Sequence, residues 1–118
     1  MEFKEKLLAE LPEVNYESAL TYCIDDDMYQ EILDAYIEAD MRQKLAEAFA
    51  DENVADYGVY AHGVKSTSRT IGLEAFADTA YELELLAKAG DFAGIQEKHG
   101  AFMNAYGSVL DRIKKVLS

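Results

Sequence analysis

A chain of 118 residues, half of them hydrophobic and with Pro12 as its one proline, is long enough to bury a core and favours helices over strands. Its 23 acidic residues against 11 basic ones give a net charge of -12, which repels nucleic acid and anionic lipid and excludes both as principal partners. Cys23 has no second cysteine to pair with, and the opening MEFKEKLLAELP is too charged for a signal peptide or membrane span, so a cytoplasmic protein without membrane insertion is expected.

Residues 1–118 read as a single all-α domain without repeats or low-complexity tracts. Phe3, Leu7, Leu8 and Leu11 predict a short first helix stopped by Pro12, and Tyr16, Ala19, Leu20 and Cys23 predict a second. Both are expected to be accessory. Asp25, Asp26 and Asp27 supply capping oxygens for one long helix whose apolar face runs Tyr29, Leu33, Tyr36, Ile37, Met41, Leu45 and Phe49. A calcium loop beginning at Asp25 would need glycine and glutamate where the chain has Gln30 and Tyr36. Val54, Tyr57, Ala61, Val64, Ser68 and Ile71 mark the next helix, with Gly72 placed to end it. Leu73, Phe76, Ala80, Leu83 and Ala87 repeat the spacing up to Gly90. Asp91 can then cap a last helix with the stripe Phe92, Ile95, His99, Phe102, Tyr106, Val109, Ile113 and Val116. Four long amphipathic helices with short connections predict an antiparallel four-helix bundle, with one or two short accessory helices at the N-terminus.

In so acidic a chain the stretch AHGVKSTSRTIG, residues 61–72, stands out for its bases. At about 100° per residue, His62, Lys65 and Arg69 fall within about 60° of one another, with Gly58 and Ser66 beside them. This strip lies about 115° from the apolar stripe, which predicts His62 at the margin of the buried face and open to a partner. Lysine and arginine there are placed to meet the charge of a phosphoryl group on the ring. The small residues Gly58, Gly63 and Ser66 leave room for another protein's surface. Such a face suits receiving and passing a group, not hydrolysing one. His99 differs, for it lies on the apolar stripe with Phe102 where His62 has Lys65, and it reads as a structural histidine. Two distant histidines and one cysteine offer no metal-ligand spacing, so neither metal nor cofactor is expected. A hydrolase is disfavoured because no nucleophile motif such as G-x-S-x-G accompanies His62.

HGVKSTSRTIG followed by YELE resembles the motif of the histidine-containing phosphotransfer (HPt) domains of multistep phosphorelays, which runs H-x-L-K-G-S-S, an I/L-G pair, then a helix with a spaced L-E. The likeness includes MYQEILDAYIEAD, similar to the helix preceding the histidine segment, and covers the chain from residue 14 onward. It implies a four-helix bundle without kinase or phosphatase activity, in which His62 takes a phosphoryl group from a receiver-domain aspartate and hands it to another. The implied partners are receiver domains of response regulators or hybrid histidine kinases, which bring the magnesium ion. The resemblance further implies that Lys65 lies near the phosphohistidine. Glu84 would accept a hydrogen bond from the imidazole nitrogen that is not phosphorylated, fixing the tautomer. The chain departs from the motif at Ser66, where the family has glycine, yet serine is small enough to keep docking. The role of Arg69 rests on helical position. The alternative reading is an all-α adaptor that binds a signalling partner through the same face without being phosphorylated.

Overall fold

Asn15, Asp25, Asn53 and Asp91 each turn a side-chain oxygen onto the backbone N–H three residues ahead, and each opens a helix in the computed structural model, which describes residues 2–118. Among the described residues seven helices follow one another: α1 (Phe3–Glu10), α2 (Tyr16–Cys23), α3 (Asp26–Glu38), α4 (Arg42–Ala50), α5 (Val54–Thr70), α6 (Glu74–Lys88) and α7 (Phe92–Leu117). No strand occurs among the described residues. The chain is all-α, and its centre is an antiparallel four-helix bundle in which α3 and α4 together stand as one member: α5 packs on α6 and α4, while α7 packs on α6 and α3.

The long helix expected after Asp25 is two helices. The Asp40 carboxylate accepts the Arg42 N–H at 3.0 Å and grips the same residue's guanidinium, while the Met41 N–H donates to the Tyr106 hydroxyl at 3.0 Å. These bonds replace helical ones and interrupt the chain between Glu38 and Arg42. The apolar stripe survives the break, with Tyr29, Leu33, Tyr36 and Leu45 buried and Ile37, Met41 and Phe49 half-buried.

The two short N-terminal helices add to the bundle's core, where Leu7, Leu11, Ala19 and Cys23 are fully enclosed. Their attachment fixes the end of α5. The Asn15 N–H donates to the Gly72 carbonyl at 2.9 Å, and a Cβ on Gly72 would stand 2.6 Å from the Asn15 carbonyl oxygen. With its φ of +88°, this turn between α5 and α6 takes glycine for both conformation and space. Tyr29 donates its hydroxyl to the Ile71 carbonyl, and the Tyr36 hydroxyl meets the buried Ser68 hydroxyl at 2.9 Å. Each buried polar group here has a partner, so α5 is locked in rotation as well as in place.

Candidate functional site

With Tyr57, Ala61, Val64 and Ser68 turned inward, the rotation of α5 leaves His62 outward, its side chain 59 % exposed. The neighbouring helix α6 comes close at this level. A Cβ on Gly58 would lie 3.0 Å from that of Ala87, so glycine at 58 serves the helix contact as well as leaving a small surface. The close approach allows Glu84, one turn before Lys88 on α6, to reach across to α5.

Glu84 is buried, its side chain only 3 % exposed, and it gathers three nitrogen partners. Its Oε2 lies 3.0 Å from His62 Nδ1 and 2.9 Å from Lys88 Nζ, and its Oε1 lies 2.7 Å from Lys65 Nζ. Burial alone would push this carboxyl up. The contacts from Lys65, Lys88 and His62 outweigh that and hold it at about 2, so the carboxylate is a standing anion beneath the imidazole. An acceptor-only carboxylate at Nδ1 makes that nitrogen the N–H donor. Nε2 then carries the lone pair, and it has no protein partner among the described residues.

Lys65 turns inward from the strip it shares with His62. Its side chain is 13 % exposed, drawn over the Tyr81 ring at 4.8 Å on the way to Glu84. Arg69, one turn on, lies over the same ring at 5.6 Å and meets Asp78 at 3.5 Å. His62, Lys65 and Glu84 are thus brought into one cluster, with Arg69 attached through Tyr81. Gly63 has open space around it and Ser66 is exposed, one turn along from the imidazole. On the other side of His62 a groove of about 330 Å³ runs between α5 and α6, lined by Val54, Ala55, Gly58, Val59, Ala87 and Lys88. Val59, in this lining, exposes a large apolar surface.

Lys88 and Tyr81 escaped the sequence reading. The signal for Lys88 was present in its i,i+4 spacing from Glu84, and for Tyr81 in its i,i−3 spacing, but neither spacing points anywhere until Glu84 is known to be buried. Among the described residues no group of three or more histidine, cysteine, aspartate or glutamate side chains is arranged to hold a metal ion, and no helix is long and apolar enough to cross a membrane.

The arrangement can present a nucleophilic nitrogen on a rigid helix, with its second nitrogen held by an anion and cations close by. Compared with known proteins, the chain matches the Hpt domain family model over residues 17–115. No curated protein and no solved structure matches it.

Proposed function

We propose, from the premise that this chain belongs to the Hpt domain family, that it is a phosphorelay intermediate, accepting a phosphoryl group on His62 from a receiver-domain aspartate and passing it to another receiver. One observation carries the reading: the exposed imidazole gives Nδ1–H to the buried Glu84 carboxylate at 3.0 Å, which leaves Nε2 to react. In the transfer, the Nε2 lone pair attacks the phosphorus of an aspartyl phosphate. The N–P bond forms as the bond from phosphorus to the aspartyl oxygen breaks, and the aspartate departs as a carboxylate with the electron pair. The ring, now substituted at both nitrogens, carries a positive charge that the Glu84 anion balances. Delivery to the next receiver runs the same exchange in reverse.

Positioning and electrostatics do most of the work in such a transfer, and a helix face locked by its neighbours supplies both. Lys88, 68 % exposed, is the Glu84 partner most free to turn toward a phosphoryl group on Nε2. Gly63 and Ser66 offer the low surface on which a receiver would settle, with Val59 as an apolar contact. In this reading the chain is a carrier, not a kinase, works without a cofactor of its own, and meets its receivers in the cytoplasm. The sharing of one core by α1, α2 and the bundle supports treating residues 1–118 as one domain.

The test is to mix the protein with a phosphorylated receiver and look for an alkali-stable, acid-labile phosphate on it. Label on the parent and none on His62→Gln is the expected result. No label on the parent, or equal label on the variant, overturns the reading.

A further inference from the structure

Glu84 can orient His62 only if its own carboxylate is oriented, and the structure contains a device for that. Lys65 Nζ sits 2.7 Å from Oε1, the oxygen that His62 does not use, and thereby keeps Oε2 turned to the imidazole. Yet a lysine stem is flexible, and this ammonium could as well lie in water. What stands against that is Tyr81, one turn before Glu84 on α6, whose ring lies 4.8 Å beneath the ammonium. The same ring carries the Arg69 guanidinium at 5.6 Å, and Asp78 draws that guanidinium from its far side at 3.5 Å. Two cations one turn apart on α5 are therefore gathered by a single aromatic of α6. The Tyr81 hydroxyl makes no hydrogen bond among the described residues and the residue is 39 % exposed, so the ring face is the part in use.

We infer that Tyr81 is a positioning residue for the histidine site: its ring holds Lys65 on Glu84 Oε1, and through that carboxylate it fixes the tautomer of His62. Resting on the phosphotransfer reading only for its kinetic consequence, this assignment concerns the resting state of the imidazole, which can be observed without any phosphoryl donor. The chain of contacts is Tyr81 to Lys65 to Glu84 to His62, and each link is a direct contact in the folded protein.

The experiment compares Tyr81→Leu, Tyr81→Phe, Lys65→Met and the double variant Lys65→Met/Tyr81→Leu with the parent. Nitrogen NMR of the imidazole reads the tautomer, and the rate of labelling by a phosphorylated receiver is measured alongside. In the parent the ring should be the Nδ1–H form. Tyr81→Leu should mix the two tautomers and slow labelling about two- to fivefold, the scale of one partly exposed cation–π contact. Tyr81→Phe keeps the ring face and should match the parent in both. Lys65→Met should mix the tautomers too, and adding Tyr81→Leu to it should change them no further, because both act through one path. The assignment is overturned by a parental tautomer in Tyr81→Leu, by equal loss in Tyr81→Phe, or by fully additive effects in the double variant. Should the parent take no phosphate, the carrier reading fails while the tautomer measurements still decide the role of Tyr81.

Discussion

The two histidines of this chain both bind through Nδ1, and they end as opposites. His62 gives Nδ1 to a carboxylate at 3.0 Å and is otherwise exposed. His99, on α7, has Nδ1 2.8 Å from the Tyr57 hydroxyl and stacks flat on Phe49, with ring centroids 3.9 Å apart and planes 4° from parallel. A phenol offers no charge to balance an imidazolium, and burial holds His99 below the usual histidine range. A fixed anion does the reverse job for a ring that must become positive when substituted. The difference lies in the partner's charge and in access to the second nitrogen, not in the histidine itself.

The largest effect expected is the one that separates the two rings outright. His62→Gln should reduce phosphoryl uptake from a receiver to background while leaving thermal stability close to that of the parent, since the side chain is mostly in solvent. His99→Gln should do the opposite. Labelling persists, and stability drops by about 1–3 kcal/mol because the stack on Phe49 is lost and the Tyr57 hydroxyl loses its partner. Denaturant melts and labelling assays on the same two variants check both halves, and a comparable loss of label in the two would erase the contrast.

Next in size is the anion itself. Glu84→Gln keeps the shape and still offers an oxygen to Nδ1, but removes the charge that balances a substituted ring. Transfer should fall about ten- to a hundredfold, the range spanned by losing a group that orients a functional imidazole. The same substitution has a signature in acid. Because the folded Glu84 titrates at about 2 and the unfolded side chain near 4.5, the carboxylate stabilises the fold above the unfolded value, and that stability drains away as pH falls from there toward 2. It amounts to roughly 3 kcal/mol for a shift of this size. Parent and variant melts should therefore converge below pH 4; parallel curves would mean that Glu84 is not the buried anion of the site.

Smaller again is the contrast between the two lysines on Glu84. A lysine in solvent would cost less than about 0.5 kcal/mol to remove, as surface changes do. The burial of Lys65 against Glu84 and Tyr81 changes the expectation. Lys65→Met should lower stability by about 1 kcal/mol or more through the anion left short of a partner. Lys88→Met, at a largely exposed side chain, should leave the melting temperature unchanged and slow phosphoryl transfer. Equal melting temperatures in the two variants would return Lys65 to the surface.

Much of the bundle was legible because burial repeats with the helix. Asp25 and Asp91 announce their helices as capping residues, and the stripes on α5, α6 and α7 are the buried faces. The break at Asp40 was not legible, since the group that receives the Met41 N–H is the Tyr106 hydroxyl, 65 residues away. The site divides in the same way. His62, Lys65 and Arg69 share a face of one helix, so local periodicity finds them. Glu84 carries no local sign of burial, because its enclosure is made by the approach of α5 to α6 where Gly58 meets Ala87. The family motif pointed to Glu84, and only packing tells how deeply it lies and which cations it takes with it.

The smallest effect belongs to His99, and it tests the other side of the comparison. Burial between α4 and α7, with Phe49 on one face and Tyr57 at Nδ1, favours the neutral ring in the folded protein. The unfolded chain has no such preference and takes up a proton near the ordinary value of 6.5. A group whose folded value is depressed gives its full stabilisation above the unfolded value, and loses it as pH falls below that value and through the folded one. Between pH 7.5 and pH 5 the parent should thus lose slightly more thermal stability than His99→Phe, which keeps an aromatic ring against Phe49 and has nothing to protonate. Every other titrating group is common to the two proteins, so the gap between their melting curves isolates His99. The expected result is that the parent's stability minus the variant's falls steadily as the solution is acidified. Curves that stay parallel would mean the ring accepts a proton where it lies, and burial would then not be what sets the second histidine apart.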